Sequence, residues 1–202
     1  MTAPLAVPLT VAALHALYAA CAPLVAPTTL DALVAAESSG NPFAVNINGP
    51  ITARVQPSTP AAALEVAQAG LRAGYSVDVG LLQVNSRNLT ALGLTLPQLL
   101  DPCANLRAGS QLLAEAYARA ARVHGEGQLA LRAAISAYNT GDLTTGFRNG
   151  YVGRVTRRAR QQRVPALAAP STAEPSRPDT AATAVFTSTT TSKETTNGNG
   201  IP

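Results

Sequence analysis

The chain has 202 residues and a formal net charge of +4, with 13% of its residues charged and 47% hydrophobic. This excludes an acidic disordered protein and a chain too polar to build a core, and two cysteines exclude a disulfide-dense miniprotein or a four-cysteine zinc site. No uninterrupted apolar run reaches about 18 residues, so no membrane span is expected. The basic balance is arginine-driven, since Lys193 is the only lysine.

Thr10 to Ala20 is apolar and alanine-rich and reads as a first helix. Thr28 and Asp31 have the spacing of a capping box opening a second helix to about Ser39, which Gly40-Asn41-Pro42 stops. Residues 43–60 are rich in β-branched residues, Asn-Gly and proline, which predicts a loop or short hairpin. Ala61 to Ala73 is a third helix with Gly74 at its C-terminal end. Asp101-Pro102 starts a long helix, Asp as N-cap and Pro in the first turn, and Gly125 ends it. Shorter helices follow from about Gln128 to Tyr138 and from about Gly150 to Gln162. Six helices around one irregular or β segment make a mainly α domain over residues 1–164. Composition breaks at Pro165: residues 165–202 hold nine Thr, five Pro and one aromatic, and this tail is expected to be disordered.

Glu37 is the unusual residue. Leu30, Leu33 and Val34 form the apolar face of its helix, and position 37 is the next member of that series. A carboxyl group on that face loses hydration, which raises its pKa and suits it to general-acid chemistry. The alternative is a helix-end Glu that simply reaches water. Gln83 and Asn85 interrupt the apolar run GLLQVN, and Tyr138-Asn139 close the run ISAYN. Neutral amides and a phenol near one carboxyl group suit sugar binding, because they exchange hydrogen bonds without adding charge. Each also has a plainer reading, Gln83 and Asn139 as capping residues and Tyr138 as core.

The segments ESSGNPFAVN (37–46), SVDVGLLQVNSRNL (76–89), DPCANLRAGSQLL (101–113), AISAYNTGD (134–142) and GYVGRV (150–155) stand in an order that resembles a known family. It is that of the lysozyme-like soluble lytic transglycosylases, in the short specialised type that accompanies type IV secretion and conjugation machinery. The resemblance covers roughly residues 12–158 and implies a goose-type lysozyme-like fold. It makes Glu37 the catalytic acid, and Gln83 with Leu81-Leu82, Tyr138, Asn139 and Tyr151 residues of the sugar cleft. Leu82 stands where the family usually has Met, and both side chains are flexible enough to pack a sugar face.

Most glycosidases need two carboxylates. Asp31 and Asp101 read as caps, and Glu65, Glu115 and Glu126 as solvated helix residues. Asp78 is the remaining candidate, with a turn residue making local hydrogen bonds as its alternative. The resemblance implies that one Glu suffices: it protonates the oxygen between N-acetylmuramic acid and N-acetylglucosamine. The muramic acid's own C6 hydroxyl then traps the sugar as a 1,6-anhydro product. The rivals are a hydrolytic muramidase of the same fold, using Asp78, and a non-catalytic glycan-binding assembly factor.

The resemblance further implies peptidoglycan strands and type IV secretion subunits as partners, a periplasmic site of action, and a Cys21–Cys103 disulfide. That bond would be worth at most about 4.5 kcal/mol for so long a loop; two buried thiols are the alternative. Met1 to Ala20 lacks a cationic start, and Pro4, Pro8 and His15 break its apolar run, so no separable leader is expected and the export route stays open. Six arginines and no acid lie between Arg148 and Arg163. They read either as a solvated helix end matched to its dipole or as a patch attracting carboxylates of stem peptides or of an acidic partner. No nucleic-acid signature accompanies them. His15 and His124 are isolated, so neither metal nor cofactor is expected.

Overall fold

A computed structural model of the protein describes residues 8–50 and 52–161, so the expected tail from Pro165 lies outside the described residues. Helix α1 (Val11–Cys21) follows Thr10, whose hydroxyl accepts a hydrogen bond from the Ala13 N–H at 3.3 Å. Helix α2 (Pro27–Glu37) begins two residues earlier than the capping-box reading, with Ala26 rather than Thr28 before its first residue. Pro27 occupies the first turn, where its fixed φ fits and its missing N–H costs nothing, and Ala26 before it offers no side-chain cap. Thr28 and Asp31 therefore do not form the expected box. The Asp31 carboxylate instead pairs with His15 Nε2 of α1 at 2.9 Å.

The segment after α2 is more ordered than a loop. Strands β1 (Val45–Asn48), β2 (Ala53–Val55), β3 (Ser76–Val79) and β4 (Val84–Asn85) form one antiparallel sheet in the order β2-β1-β3-β4. Val45 opposes Val79, Asn46 opposes Asp78, and Asp78 opposes Asn85. Because side chains alternate along a strand, one face carries the buried Val45, Val77, Val79 and Val84. The other face carries Asn46, Asn48, Ser76, Asp78 and Asn85. Helix α3 (Pro60–Arg72) packs on β1 and β3 and is capped by the Thr59 hydroxyl. A 3₁₀ turn (Ser86–Asn88) and two short helices, α4 (Leu89–Leu92) and α5 (Leu96–Leu99), lead to the long helix.

Helix α6 (Pro102–His124) is the spine. Asp101 caps it by accepting from the Ala104 N–H at 2.8 Å, Pro102 sits in its first turn, and Gly125 closes it. Its partner α7 (Gln128–Thr140) runs two residues past the expected end, to a left-handed Gly141. Ala116 and Ala120 on α6, with Ala130, Ala133, Ala134 and Ala137 on α7, are all buried, so the two helices meet over small side chains. Leu30, Leu33, Leu99 and Leu106 fill the larger spaces, each contributing about 2 kcal/mol of apolar burial. Helices α8 (Thr145–Arg148) and α9 (Tyr151–Gln161) complete the described chain, α9 lying against α2. Cys21, the last residue of α1, is disulfide-bonded to Cys103 in the first turn of α6. Among the described residues no helix is long and apolar enough to cross a membrane.

Candidate active site

A cleft of about 820 Å³ lies between the polar face of the sheet, the end of α2, and α6 with α7. Glu37 enters it as the last residue of α2. The helix stops there because Ser39 takes a left-handed φ of 54° and turns the chain away. Asn41 then pins the departing loop: its amide donates to Gln56 Oε1 and to the Pro57 carbonyl, and its oxygen accepts from the Phe43 N–H. Burial pushes the Glu37 pKa up from 4.5 to about 6. A hydrogen bond from the Tyr151 hydroxyl and the charges of Arg54 and Arg154 pull it down, and Asp78 pushes it up.

Tyr151 is 3% exposed and does not line the cleft; its hydroxyl donates to Glu37 Oε1 from behind. The amphipathic pattern of α9 turns Tyr151, Val152 and Val155 into the core. Burial and the adjacent carboxylate drive its own pKa far above the usual value, so it is a neutral donor.

Gln83 lines the cleft in a left-handed conformation, φ 46°. It and Ser39 are the non-glycine residues with positive φ among the described residues, and both flank the site. Such conformations persist where the surroundings hold them. Here the Gln83 amide donates to the carbonyls of Ala44 and Gly80, both at 3.0 Å, tying the loop to the end of β1. Leu81 and Leu82, between Gly80 and Gln83, are fully buried. A Cβ at Gly109 would stand 2.6 Å from Leu82 Cδ1 and 2.9 Å from Tyr138 Oη, so α6 can pass this close only with glycine.

Asn105, fully buried on α6, fixes the same loop. Its amide donates to the carbonyls of Val79 and Leu99, and its oxygen accepts from the Leu82 N–H at 2.9 Å. Tyr138 lines the cleft and donates its hydroxyl to the Leu82 carbonyl at 2.7 Å, while burial raises its pKa. Asn139 also lines the cleft; it is exposed, within rather than ending α7, and accepts from the Asn149 amide at 3.2 Å.

Asp78 is not a turn residue. It stands in mid-strand on the cleft face, where the amides of Asn85, Asn48 and Asn46 donate to its carboxylate at 2.6, 2.8 and 3.1 Å. The family profile described as "Transglycosylase SLT domain" matches residues 15–161. The chain belongs to this family.

The SLT chain is 46% identical over 164 residues to "Protein virB1" of Agrobacterium fabrum, covering 81% of this chain and 66% of the relative. It is 44% identical over 167 residues to "Protein virB1" of Rhizobium radiobacter, covering 82% and 68%. It is 43% identical over 129 residues to "Type IV secretion system protein virB1" of Brucella suis biovar 1, covering 63% and 54%. The chain thus spans about two thirds, or less, of the length of these curated relatives. No solved structure gives a significant match.

The SLT site also holds residues that the sequence reading passed over. Asn46 and Asn48 fall in the stretch expected to be a loop or short hairpin, Ser76 was not singled out, and Glu115, read as solvated, lines the cleft together with Arg54, Arg87 and Arg119. The signal for the first three is the alternation in VNIN and SVDV, whose polar members fall on one face. Nothing in local sequence marks Glu115 or the arginines, because exposed charges on a helix or edge strand look alike wherever they face.

Proposed function

We propose that this chain is a peptidoglycan lytic transglycosylase in which Glu37 serves as acid and then as base. Its proton passes to the oxygen joining N-acetylmuramic acid to N-acetylglucosamine, the C1–O bond breaks, and an oxocarbenium-like centre forms at C1. The C6 hydroxyl of the same muramic acid closes on C1, and its proton returns to the Glu37 carboxylate. The product is a 1,6-anhydro sugar and no water is consumed. The observation that carries this reading is that Glu37, among the carboxyl groups lining the cleft, has its pKa raised by burial to about 6, where both protonation states are accessible. Trapping by a hydroxyl already on the substrate also avoids the entropic cost of recruiting a second molecule.

Gln83, Tyr138 and Asn139 supply neutral hydrogen-bonding groups along the glycan, and Tyr151 positions the acid. Catalysis belongs to residues 1–164 and not to the segment from Pro165. The Brucella relative's name, "Type IV secretion system protein virB1", supports a task in type IV secretion: opening the wall locally in the periplasm so that the apparatus can assemble.

Hydrolysis is the second reading, favoured by Asp78 on the same cleft as Glu37. Mass spectrometry of soluble products from purified sacculi separates the two. Ends in 1,6-anhydromuramic acid, insensitive in kind to Asp78→Asn, support transglycosylation. Reducing ends heavier by one water, with a large loss on Asp78→Asn, support hydrolysis. No product from folded protein would overturn both readings and leave a glycan-binding assembly factor.

A further inference from the structure

Helix α9 has a second face that the glycan site does not use. Arg154, Arg157 and Arg160, spaced a turn apart, join Arg132 of α7 and Phe147 of α8 around a groove of about 600 Å³. No carboxylate lines this groove, and none of its four guanidinium groups is ion-paired among the described residues. The helix dipole accounts for cations in the last turn of α9, and Arg154 lies 5.6 Å over the Tyr151 ring and donates to the Asn149 carbonyl at 3.3 Å, but neither accounts for Arg157 in mid-helix or for Arg132 on another helix. Phe147 is 43% exposed at the groove's edge.

The floor carries an independent sign. Gly153 lies within α9 and is exposed. A Cβ there would meet nothing closer than Arg157 Nη1 at 3.6 Å, an ordinary contact, so internal packing does not require glycine. The helix forgoes about 1 kcal/mol relative to alanine at such a position. What glycine leaves is bare backbone on the groove floor, room for a ligand to approach closely.

We propose that this groove docks an acidic peptide segment of a protein partner. Arg154 to Arg160 spans six helical steps, about 9 Å, which about three residues of extended chain cover. Cations strung along a line match successive carboxylates on a peptide, whereas a single headgroup would address one point. Phe147 offers an apolar contact beside them. Of these arginines only Arg154 bears on Glu37, whose pKa its charge lowers, so Arg157, Arg160 and Gly153 are the positions that separate docking from the chemistry there.

The test is fluorescence anisotropy of the full chain with a fluorescein-labelled octaglutamate probe and its octaglutamine counterpart. Octaglutamate is expected to bind with salt-dependent affinity and octaglutamine not to bind. Arg157→Glu with Arg160→Glu should weaken octaglutamate binding at least about tenfold. Gly153→Leu, which keeps every charge and favours the helix, should weaken it by filling the floor. Both variants should digest sacculi at the unaltered rate, so failure here is distinguishable from failure of the glycan reading. Equal binding of the two probes, or full affinity in both variants, would overturn the proposal. So would parallel loss of sacculus digestion in the variants, which would make the groove part of the glycan site. Variant-sensitive binding to phosphatidylglycerol vesicles without octaglutamate binding would also overturn it, in favour of a membrane surface.

Discussion

Tyr151 donates its phenolic hydrogen to Glu37 across 114 positions of sequence, so the beginning of α9 holds the carboxyl group at the end of α2. The bond favours the charged form of Glu37 and opposes burial, which favours the neutral one. Removing it with Tyr151→Phe raises the Glu37 pKa above about 6. Since the acid step needs the proton, the alkaline limb of the pH–rate profile moves to higher pH while the maximal rate falls through loss of orientation. An alkaline limb that stays in place would separate Tyr151 from the acid.

Glu37→Gln abolishes cleavage and at the same time stabilises the fold. The folded pKa of Glu37, about 6, lies above its ordinary 4.5, so the native state binds more protons between these values. Native stability owed to this group is therefore present below pH 4.5, declines as pH rises to 6, and is lost above it. Glutamine keeps an acceptor for Tyr151 and carries no charge. Denaturant melts should show it more stable by up to about 2 kcal/mol at pH 7, the difference vanishing at pH 4. Equal stability at both pH values would mean that the carboxylate is not desolvated.

Asn105→Ala removes one side chain and leaves the Val79 and Leu99 carbonyls and the Leu82 N–H without it. At a fully buried position the expected cost is about 3 kcal/mol or more. The loop bearing Gln83 loosens with it, so KM for glycan rises more than the melting change alone accounts for. Chemical denaturation and kinetics on soluble strands measure the two effects, and an unchanged KM would show that Gln83 does not depend on this anchor.

Replacing both Cys21 and Cys103 by Ser lowers stability by up to about 4 kcal/mol, because the open chain regains the freedom the bond removes. Cleavage at low temperature persists, since neither cysteine lines the cleft. A loss below about 1 kcal/mol would place the fold's cohesion in the alanine-packed helices alone.

Much of this was legible because it is periodic. The step from Leu30 through Leu33 and Val34 to position 37 put Glu37 on the inner side of α2, and Asp101-Pro102 marked the start of α6 in the place observed. The sheet was not legible in full: β4 has two residues and β3 four, too few for alternation to stand out from a loop. Its polar face, and Asp78 with three amides around it, therefore went unread as a surface. Thr28 and Asp31 show the opposite failure, a valid local pattern displaced by a helix start at Pro27, two residues earlier. Tyr151 stands out in the sequence beside Val152 and Val155, whose inward stripe carries its ring into the core and its hydroxyl to Glu37.

The Cys21–Cys103 bond closes a ring that contains Glu37, all four strands and Gln83, whereas Tyr138 and Tyr151 come later in the chain. The site is thus assembled from a covalently closed half and an open half made afterwards. A chain interrupted before α9 carries the acid without its hydroxyl donor, and one interrupted before α7 lacks that wall of the cleft as well. On the reading proposed for Glu37, glycan cleavage therefore waits until α7 and α9 have been made, so the order of synthesis sets when the site is complete.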